Sequence, residues 1–142
     1  MSSATDLVLV VDDQPTNLAV LGDLLEPAGY QLLSATNAAD ALRIARKARP
    51  HLILLDIVMP GTDGLSVCRQ LQADAALRDI PVIFITGRAE LAARVEGFAA
   101  GGVDYIVKPF EAAEVLARVR THLELANKAR PSSTTAASRV IW

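Results

Sequence analysis

Acidic side chains stand at two places in the sequence where an apolar run ends. Asp12 and Asp13 directly follow the run LVLVV, and Asp56 directly follows the run LILL. Adjacent carboxylates repel each other, so the pair is expected to lie near a positive charge. Thr86 and Lys108 also follow apolar runs, and they add a hydroxyl and an ammonium group to the polar residues found at such positions.

Together these residue types suit a divalent cation and a phosphate. Three carboxylates supply hard oxygen ligands, and Mg²⁺ takes one or two such carboxylates, keeps several waters and bridges to phosphate oxygens. Lys108 would provide a point charge for a phosphoryl oxygen, and the Thr86 hydroxyl a donor that can reorient. Singly, each residue has a simpler explanation, because an aspartate after a strand is often a helix cap and a lysine is usually solvated. The set as a whole indicates a metal and phosphate site.

The apolar runs have the length and composition of buried β-strands. They occupy positions 7–11, 31–34, 52–55, 82–85 and 103–107, and the segments between them show helical spacing. Apolar strands that alternate with helices predict a parallel sheet covered on both faces, with right-handed crossovers. Ligands of such sheets bind outside the carboxyl ends of the strands. The polar residues that follow the strands are therefore expected to meet at one edge of the sheet.

The helix boundaries are predicted from capping residues. Thr16 is expected to cap the first helix, which runs through Leu25. Asn37 is expected to cap the second helix, which runs through Ala48 and is closed by Pro50. The last helix is predicted from Glu111 to about Ala129, with one apolar face directed at the sheet.

Composition limits the classes of protein to consider. The chain has 142 residues, of which 51% are hydrophobic, and this suits one domain with its own core. The single cysteine, Cys68, cannot form an internal disulfide, and the N-terminus lacks the features of a signal peptide, so a cytoplasmic setting is expected. No apolar run approaches the length needed to cross a bilayer. A net charge of -2 offers no basic field for nucleic acid or anionic lipid.

Four motifs carry a family resemblance. The stretches VLVVDDQPTN, LILLDIVMPGTDG, PVIFITG and GGVDYIVKPF, in this order, resemble the receiver domain of bacterial two-component response regulators. The resemblance covers roughly positions 6–125. It implies a flavodoxin-like (βα)5 fold, with a five-stranded parallel sheet in the order 2-1-3-4-5. It also implies a signalling switch and not an enzyme that turns over a separate substrate.

The resemblance assigns the acidic residues to phosphoryl transfer. Asp56 resembles the phosphoacceptor, a carboxylate nucleophile that takes a phosphoryl group from a histidine kinase or a phosphotransfer protein. Asp13 and Asp56, with the backbone carbonyl of Val58, resemble the ligands of Mg²⁺, for which Mn²⁺ is a plausible substitute. Asp12 is expected to contribute directly or through a water. The metal would neutralise charge on the transferring group, with Lys108 beside it.

Other residues match the family's signalling parts. Thr86 and Tyr105 resemble a switch pair in which the hydroxyl moves to the phosphate and the aromatic ring then turns inward. Gly87 would let its backbone N–H approach a phosphate oxygen. Val58 and Arg88 stand where the family tunes hydrolysis of the phosphoryl group. The side chain of Val58 cannot position a water by hydrogen bonding.

Further features of the resemblance concern turns and prolines. Pro109 matches a cis-proline of the family. The stretch GTDG is a tight turn with Gly61 and Gly64 at its ends, and no phosphate-binding lysine follows that would make it a nucleotide loop.

Two other classes of protein share parts of this pattern. A Mg²⁺ phosphohydrolase of the haloacid dehalogenase type also uses an aspartate nucleophile, but it needs a second aspartate two positions on, where this chain has Val58. A degenerate receiver that acts only as a docking module would lack part of the acid cluster or the lysine, and all of these are present here.

The C-terminal part carries the remaining expectations. Residues 1–129 are assigned to the receiver domain and 130–142 to a flexible linker or tail, and the chain is either a stand-alone receiver or part of a larger protein. Its surface formed by the helix near positions 91–100, the strand through Tyr105 and the last helix is expected to contact an output domain, a partner protein or a second copy. Leu125 lies off the core-facing stripe, so a homodimer with Leu125 and His122 near the contact is a further prediction.

Overall fold

The structure is a parallel β-sheet with helices on both faces. The computed structural model describes residues 5–129. All neighbouring strands pair in parallel, in the order β2-β1-β3-β4-β5, which confirms the predicted flavodoxin-like topology. The strands are β1 (Leu7–Val11), β2 (Gln31–Ala35), β3 (Leu52–Leu55), β4 (Val82–Thr86) and β5 (Asp104–Val107).

Each strand is followed by a helix. The helices are α1 (Pro15–Leu25), α2 (Ala38–Ala48), α3 (Gly64–Ala73), α4 (Leu91–Ala99) and α5 (Ala112–Ala129), and a short 3-10 turn at Glu26–Ala28 extends α1. None of the helices within residues 5–129 combines the length and apolarity that crossing a bilayer requires. The expectation for positions 130–142 lies outside the described residues.

Two helix caps were predicted, and the structure confirms one of them. Asn37 caps α2, because its side-chain oxygen accepts a hydrogen bond from the Asp40 N–H at 2.8 Å. The prediction for Thr16 is wrong, since α1 already begins with Pro15 and its N-cap is Gln14, two residues before Thr16, and Gln14 makes no side-chain cap bond. Proline at the first helical position has no N–H to satisfy and its φ already suits a helix.

The core has two halves, one on each face of the sheet. Successive strand residues point to opposite faces, so every strand contributes to both halves. One half holds buried residues of α1 and α5, namely Leu21, Leu25, Val115, Val119 and Leu123. The other half holds buried residues of α2, α3 and α4, among them Leu42, Ala45, Leu65, Leu71 and Ala93. Because both faces are covered, the polar residues at the strand ends are held by a rigid support.

An ion-pair network ties α5 to the edge strand β5. Arg118 donates to both carboxylate oxygens of Asp104 at 2.9 Å, and it also pairs with Glu114 at 3.2 Å. The His122 Nε2 lies 2.9 Å from Asp104 Oδ2, and since a carboxylate only accepts, this nitrogen carries the proton. Burial raises the pKa of Asp104, but hydrogen bonds from the Tyr105 N–H, Arg118 and His122 outweigh it and hold that pKa below its ordinary value.

This network changes one expectation for the predicted dimer contact. His122 is half-buried and its Nε2 is bonded within the chain, so it does not present this nitrogen to a partner. Leu125, in contrast, is exposed, as predicted.

Candidate functional site

The sheet's own hydrogen bonds continue past the strand ends and align the loops that carry the polar residues. The Asp12 N–H donates to the Ala35 carbonyl at 3.1 Å, the Asp56 N–H to Val11 at 3.0 Å, and the Lys108 N–H to Thr86 at 2.8 Å. The residues that follow β1, β3 and β5 are therefore held in line with the sheet. As predicted, these residues meet at the carboxyl edge.

A cavity of about 700 Å³ opens at this edge. Its lining includes Asp13, Asp56, Thr86, Arg88 and Lys108, and it is completed by Gln14, Asn17, Val58, Met59, Pro60 and Gly87. The cavity thus brings together carboxylates, two cationic side chains and a hydroxyl.

Lys108 joins two of the buried carboxylates. Its Nζ lies 2.8 Å from Asp12 Oδ2 and 2.9 Å from Asp56 Oδ2, while Asp12 is 1% and Asp56 5% exposed. Burial lowers the pKa of Lys108, but the hydrogen bonds to Asp12 and Asp56 outweigh burial and raise that pKa above its ordinary value. The lysine stays charged and offsets the repulsion between the carboxylates.

Backbone and side-chain donors fix the other carboxylate oxygens. Asp12 Oδ1 accepts from the Gln14 N–H at 2.9 Å, and Asp12 Oδ2 also accepts from Asn17 Nδ2 at 3.1 Å. Asp56 Oδ1 accepts from the Val58 N–H at 3.0 Å. A carboxylate oxygen offers two lone-pair positions, so each Oδ1 retains one of them for a further ligand.

The acid cluster fits a small hard cation. Asp12, Asp13 and Asp56 each offer an oxygen, and these oxygens lie within 4.8 Å of one another. Mg²⁺ binds oxygen at about 2.0–2.1 Å, so ligands on opposite sides of the ion are about 4 Å apart. All three ligands are oxygen atoms, which suits Mg²⁺ better than a soft transition metal. Asp12 and Asp56 also contact Lys108, so Asp13 is the carboxylate with the most freedom to turn toward a cation.

The loop after Asp56 is shaped by two glycines. Gly61 has a φ of +85°, a left-handed conformation that glycine adopts without strain. Gly64 begins α3 beside Asp56, donates its N–H to the Ile57 carbonyl at 2.7 Å, and leaves no room for a Cβ, which would overlap the backbone carbonyl of Asp56. The start of α3 therefore packs directly under the backbone of Asp56.

The loop after β4 carries Thr86, Gly87 and Arg88. Thr86 is fully buried, and its hydroxyl oxygen lies 3.5 Å from the Arg88 backbone nitrogen, a long contact. A Cβ built on Gly87 would meet nothing within 4 Å, so local packing does not require glycine there. The Arg88 guanidinium binds Glu90 through Nε at 3.0 Å and through its terminal nitrogen at 2.9 Å.

Tyr105 differs from the sequence-based expectation. The prediction was that its ring enters the interior after Thr86 has moved toward a phosphate, whereas the structure has the ring buried, 7% exposed, beside a buried Thr86. The hydroxyl donates to the Arg88 carbonyl at 2.7 Å. Burial raises the pKa of the hydroxyl above its ordinary value.

Comparison with known proteins decides the family. The model of the response regulator receiver domain matches residues 8–120 of this chain. The chain belongs to this family. A receiver domain is the phosphoacceptor module of a two-component system, and the fold and acid cluster described above are those of such a module.

Individual receiver proteins support the assignment. The transcriptional regulatory protein ResD of Bacillus subtilis is 44% identical over 121 residues, which are 85% of this chain and 49% of ResD. Protein PilH of Pseudomonas aeruginosa is 39% identical over 116 residues, 82% of this chain and 96% of PilH. The chain spans about half the length of several curated relatives that it matches, among them ResD and the ycf27 regulator of Porphyra purpurea.

A solved structure supports the fold in the same way. The signal receiver domain of a signal transduction histidine kinase from Syntrophus aciditrophicus superposes with a TM-score of 0.81 at 34% identity. The match covers 92% of this receiver and 98% of that chain.

Sequence reasoning missed some participants in the site. Gln14 and Asn17 hold the Asp12 carboxylate, and Glu90 binds Arg88. The sequence could have indicated the contact of Asn17 with Asp12, because Asn17 lies in the motif VLVVDDQPTN, five residues after Asp12 and in the first turn of α1. Glu90 gave no signal, because its contact depends on the path of the loop. The expected cis peptide bond at Lys108–Pro109 is present.

Proposed function

We propose that Asp56 accepts a phosphoryl group from a phosphohistidine of a histidine kinase or phosphotransfer protein. The observation that carries the proposal is the position of Lys108 Nζ, which lies within hydrogen-bond distance of both Asp56 and Asp12, while Lys108 and Asp56 line the cavity. This arrangement provides a positive charge beside the buried carboxylate, where a phosphoryl oxygen would arrive. The receiver family supplies the reaction class.

The transfer itself is a displacement at phosphorus. One carboxylate oxygen of Asp56 forms the new O–P bond, and the bond from phosphorus to the donor's imidazole nitrogen breaks with its electron pair returning to that nitrogen. Asp12, Asp13, Asp56 and the Val58 carbonyl would hold Mg²⁺, or Mn²⁺ in its place. When bound, the ion supplies positive charge to the transferring oxygens.

Three groups of the chain would then hold the phosphoryl oxygens. Lys108 contributes its ammonium, Thr86 its hydroxyl after a small movement, and Gly87 its backbone N–H. The lifetime of the phosphoryl group would depend on Val58 and Arg88. The exposed side chain of Val58 cannot hydrogen-bond an attacking water, and the Arg88 guanidinium is paired with Glu90. The chemistry is directed at the protein's own Asp56, and no separate substrate is turned over.

The signal would leave through the surface formed by α4, β5 and α5. Its α4 part exposes Leu91, Val95 and Phe98, which lie on one side of the helix at spacings of four and three residues. Such a stripe suits contact with an output domain, a partner protein or a second copy. The chain matches only about half the length of several relatives, so contact with an output domain is part of this proposal. The assignment of residues 130–142 to a linker and a cytoplasmic setting are also part of it.

Acetyl phosphate, a small phosphodonor, tests the proposed chemistry directly. With Mg²⁺ present, intact-mass spectrometry should show one added phosphoryl group, which peptide mapping should place on Asp56. Asp56→Asn should abolish the addition, because the amide is a poor nucleophile of nearly the same shape, and EDTA should suppress it in the wild type. Asp23→Asn, which changes an exposed carboxylate of α1, serves as the matched control and should be phosphorylated normally. Undiminished phosphorylation of Asp56→Asn would rule the proposal out.

A further inference from the structure

Gly97 lies inside α4, where glycine is less favourable than alanine because it loses more backbone freedom on folding. Its position in the fold gives a reason for its presence. A Cβ on Gly97 would lie 3.1 Å from Phe84 Cδ2 and 3.2 Å from Tyr105 Cδ2, closer than carbon atoms pack at their optimum separation. The missing side chain of Gly97 thus makes room for two aromatic rings.

Arg94 covers the same tyrosine from the solvent side. Its guanidinium carbon lies 5.8 Å from the centroid of the Tyr105 ring, within the range of a cation–π contact. The Phe84 ring packs against Tyr105 with centroids 6.1 Å apart and planes tilted by 47°. Gly97, Phe84 and Arg94 therefore enclose the ring, and the Arg88 carbonyl holds its hydroxyl.

The two rings differ in their freedom to respond to crowding. Phe84 is 0% exposed and belongs to β4, which has a strand on each side. Tyr105 belongs to the edge strand β5, with a strand on one side only, and its ring contacts Arg94 of α4 while its hydroxyl bonds the β4–α4 loop at Arg88. A methyl group added at Gly97 would therefore displace Tyr105 in preference to Phe84.

We propose that Gly97 and Arg94 are positioning residues that hold the Tyr105 ring inward before Asp56 carries a phosphoryl group. Gly97 provides the space for the ring, and Arg94 holds its outer face. The inference rests on the proposed function for the signalling role of Tyr105, but the orientation of the ring can be measured independently. It means that the aromatic half of the switch is preset by α4 in this receiver.

Fluorine NMR of protein labelled with 3-fluorotyrosine measures the orientation. The chain has two tyrosines, Tyr30 and Tyr105, and Tyr105→Phe assigns the two resonances. In the unphosphorylated wild type, the Tyr105 resonance should be protected from a soluble paramagnetic agent. Gly97→Ala should move this resonance toward the position of an exposed tyrosine and increase its broadening by the agent.

Substitutions of Arg94 give a second, surface-based test. Arg94→Ala should lower the inward-to-outward ratio by about two- to five-fold, the loss expected for an exposed cation–π contact. Arg94→Lys, which keeps a cation, should restore part of the protection. If Gly97→Ala does not fold, as judged by circular dichroism, the comparison of Arg94→Ala with Arg94→Lys tests the proposal.

Matched controls separate this effect from general perturbation. Gly22→Ala changes a helical glycine of α1 whose Cβ would make an ordinary 3.6 Å contact with Leu32, and Arg69→Ala removes an exposed arginine of α3. Both should leave the Tyr105 resonance unchanged. A Tyr105 resonance that is equally protected in wild type, Arg94→Ala and any folded Gly97→Ala would overturn the inference.

A second step tells this inference apart from the proposed function. The wild type is also treated with acetyl phosphate and Mg²⁺ and analysed by intact-mass spectrometry. If no phosphoryl group is added at Asp56, the proposed function fails, while a ring displaced in the α4 variants still supports the positioning role.

Discussion

Lys108 is the positive charge that Asp12 and Asp56 share at hydrogen-bond distance. Two nearly buried carboxylates next to each other destabilise a fold unless a cation offsets their repulsion. A divalent ion bound by Asp12, Asp13 and Asp56 would also offset this repulsion. The lysine and a metal ion are therefore partly interchangeable as counter-charges, although only the lysine is part of the chain.

This exchange predicts how Lys108→Ala behaves. Without a metal the variant should lose about 3 kcal/mol of unfolding free energy, because a buried charge pair has lost one partner. Added Mg²⁺ should then raise the unfolding temperature more in the variant than in the wild type, since an ion that binds only the folded state stabilises it. Thermal unfolding over a Mg²⁺ titration measures both effects. Lys47→Ala, on the exposed side of α2, is the control. An equal response to Mg²⁺ in the two proteins would contradict the shared role.

At the scale of single residues, the sequence predicted which residues form the site better than it predicted their side-chain contacts. Asp12, Asp56 and Lys108 were found because each follows a strand, and strand ends of a parallel sheet share one edge. The buried state of Tyr105 was not predicted, because spacing along the chain does not determine which rotamer a side chain adopts. It depends on space left by Gly97, whose contact with Tyr105 exists only in the folded packing.

At the scale of elements, the start of α3 supports the backbone of Asp56. Gly64 is the point of closest approach, and a Cβ there would overlap the Asp56 carbonyl oxygen. Neither partner can move away easily, because α3 is anchored in the core through Leu65, Cys68 and Leu71 and the Asp56 N–H is held by β1.

Gly64→Ala should therefore be among the costly small substitutions in this receiver. We expect it to lower the unfolding free energy by about 2 kcal/mol, as overpacking of a tight site does, and to slow phosphorylation of Asp56 by displacing its carboxylate. Urea unfolding and the rate of phosphorylation by acetyl phosphate measure the two effects. Gly22→Ala should be neutral, or stabilising by up to about 1 kcal/mol, because alanine is the better helix former. A fully stable and fully reactive Gly64→Ala protein would show that the contact is unimportant.

The elements themselves were largely predictable. The five strands differ from their predicted bounds by at most one residue at either end, since each is a short apolar run between polar segments. The start of α1 was missed because Thr16 has a good capping side chain, whereas Pro15 ahead of it already favours a helical backbone. The network around Asp104 was not foreseen, because it joins β5 to α5 through long side chains whose reach the helical pattern does not specify.

At the scale of the whole molecule, α5 is much longer than the other helices. It has 18 residues, against 9 to 11 in α1 to α4, and its last buried core residue is Leu123. Leu125 is 55% exposed on the part that continues beyond the core. An exposed leucine on a helix extension suits pairing with a second helix, and this keeps the predicted homodimer a testable idea.

Light scattering tests whether two copies associate. The mass in solution should rise above that of a monomer, at least with beryllofluoride and Mg²⁺, and Leu125→Glu should return it to the monomer value because a charge would be buried in the contact. Asn127→Glu places the same charge on another side of α5 and should leave association intact. A monomeric mass under all conditions would show that the predicted homodimer is wrong.

Lys108 lies far along the chain from both of its carboxylate partners, and this separation affects the order of events in biosynthesis. The lysine pairs with residues 96 and 52 positions before it. During translation, Asp12 and Asp56 emerge from the ribosome well ahead of Lys108, and β5 is the last strand of the sheet to be made. The counter-charge of the acid cluster therefore arrives only when the sheet can be completed. An unfinished polypeptide carries Asp56 without its lysine, so the proposed competence of Asp56 to accept a phosphoryl group is acquired together with the native fold.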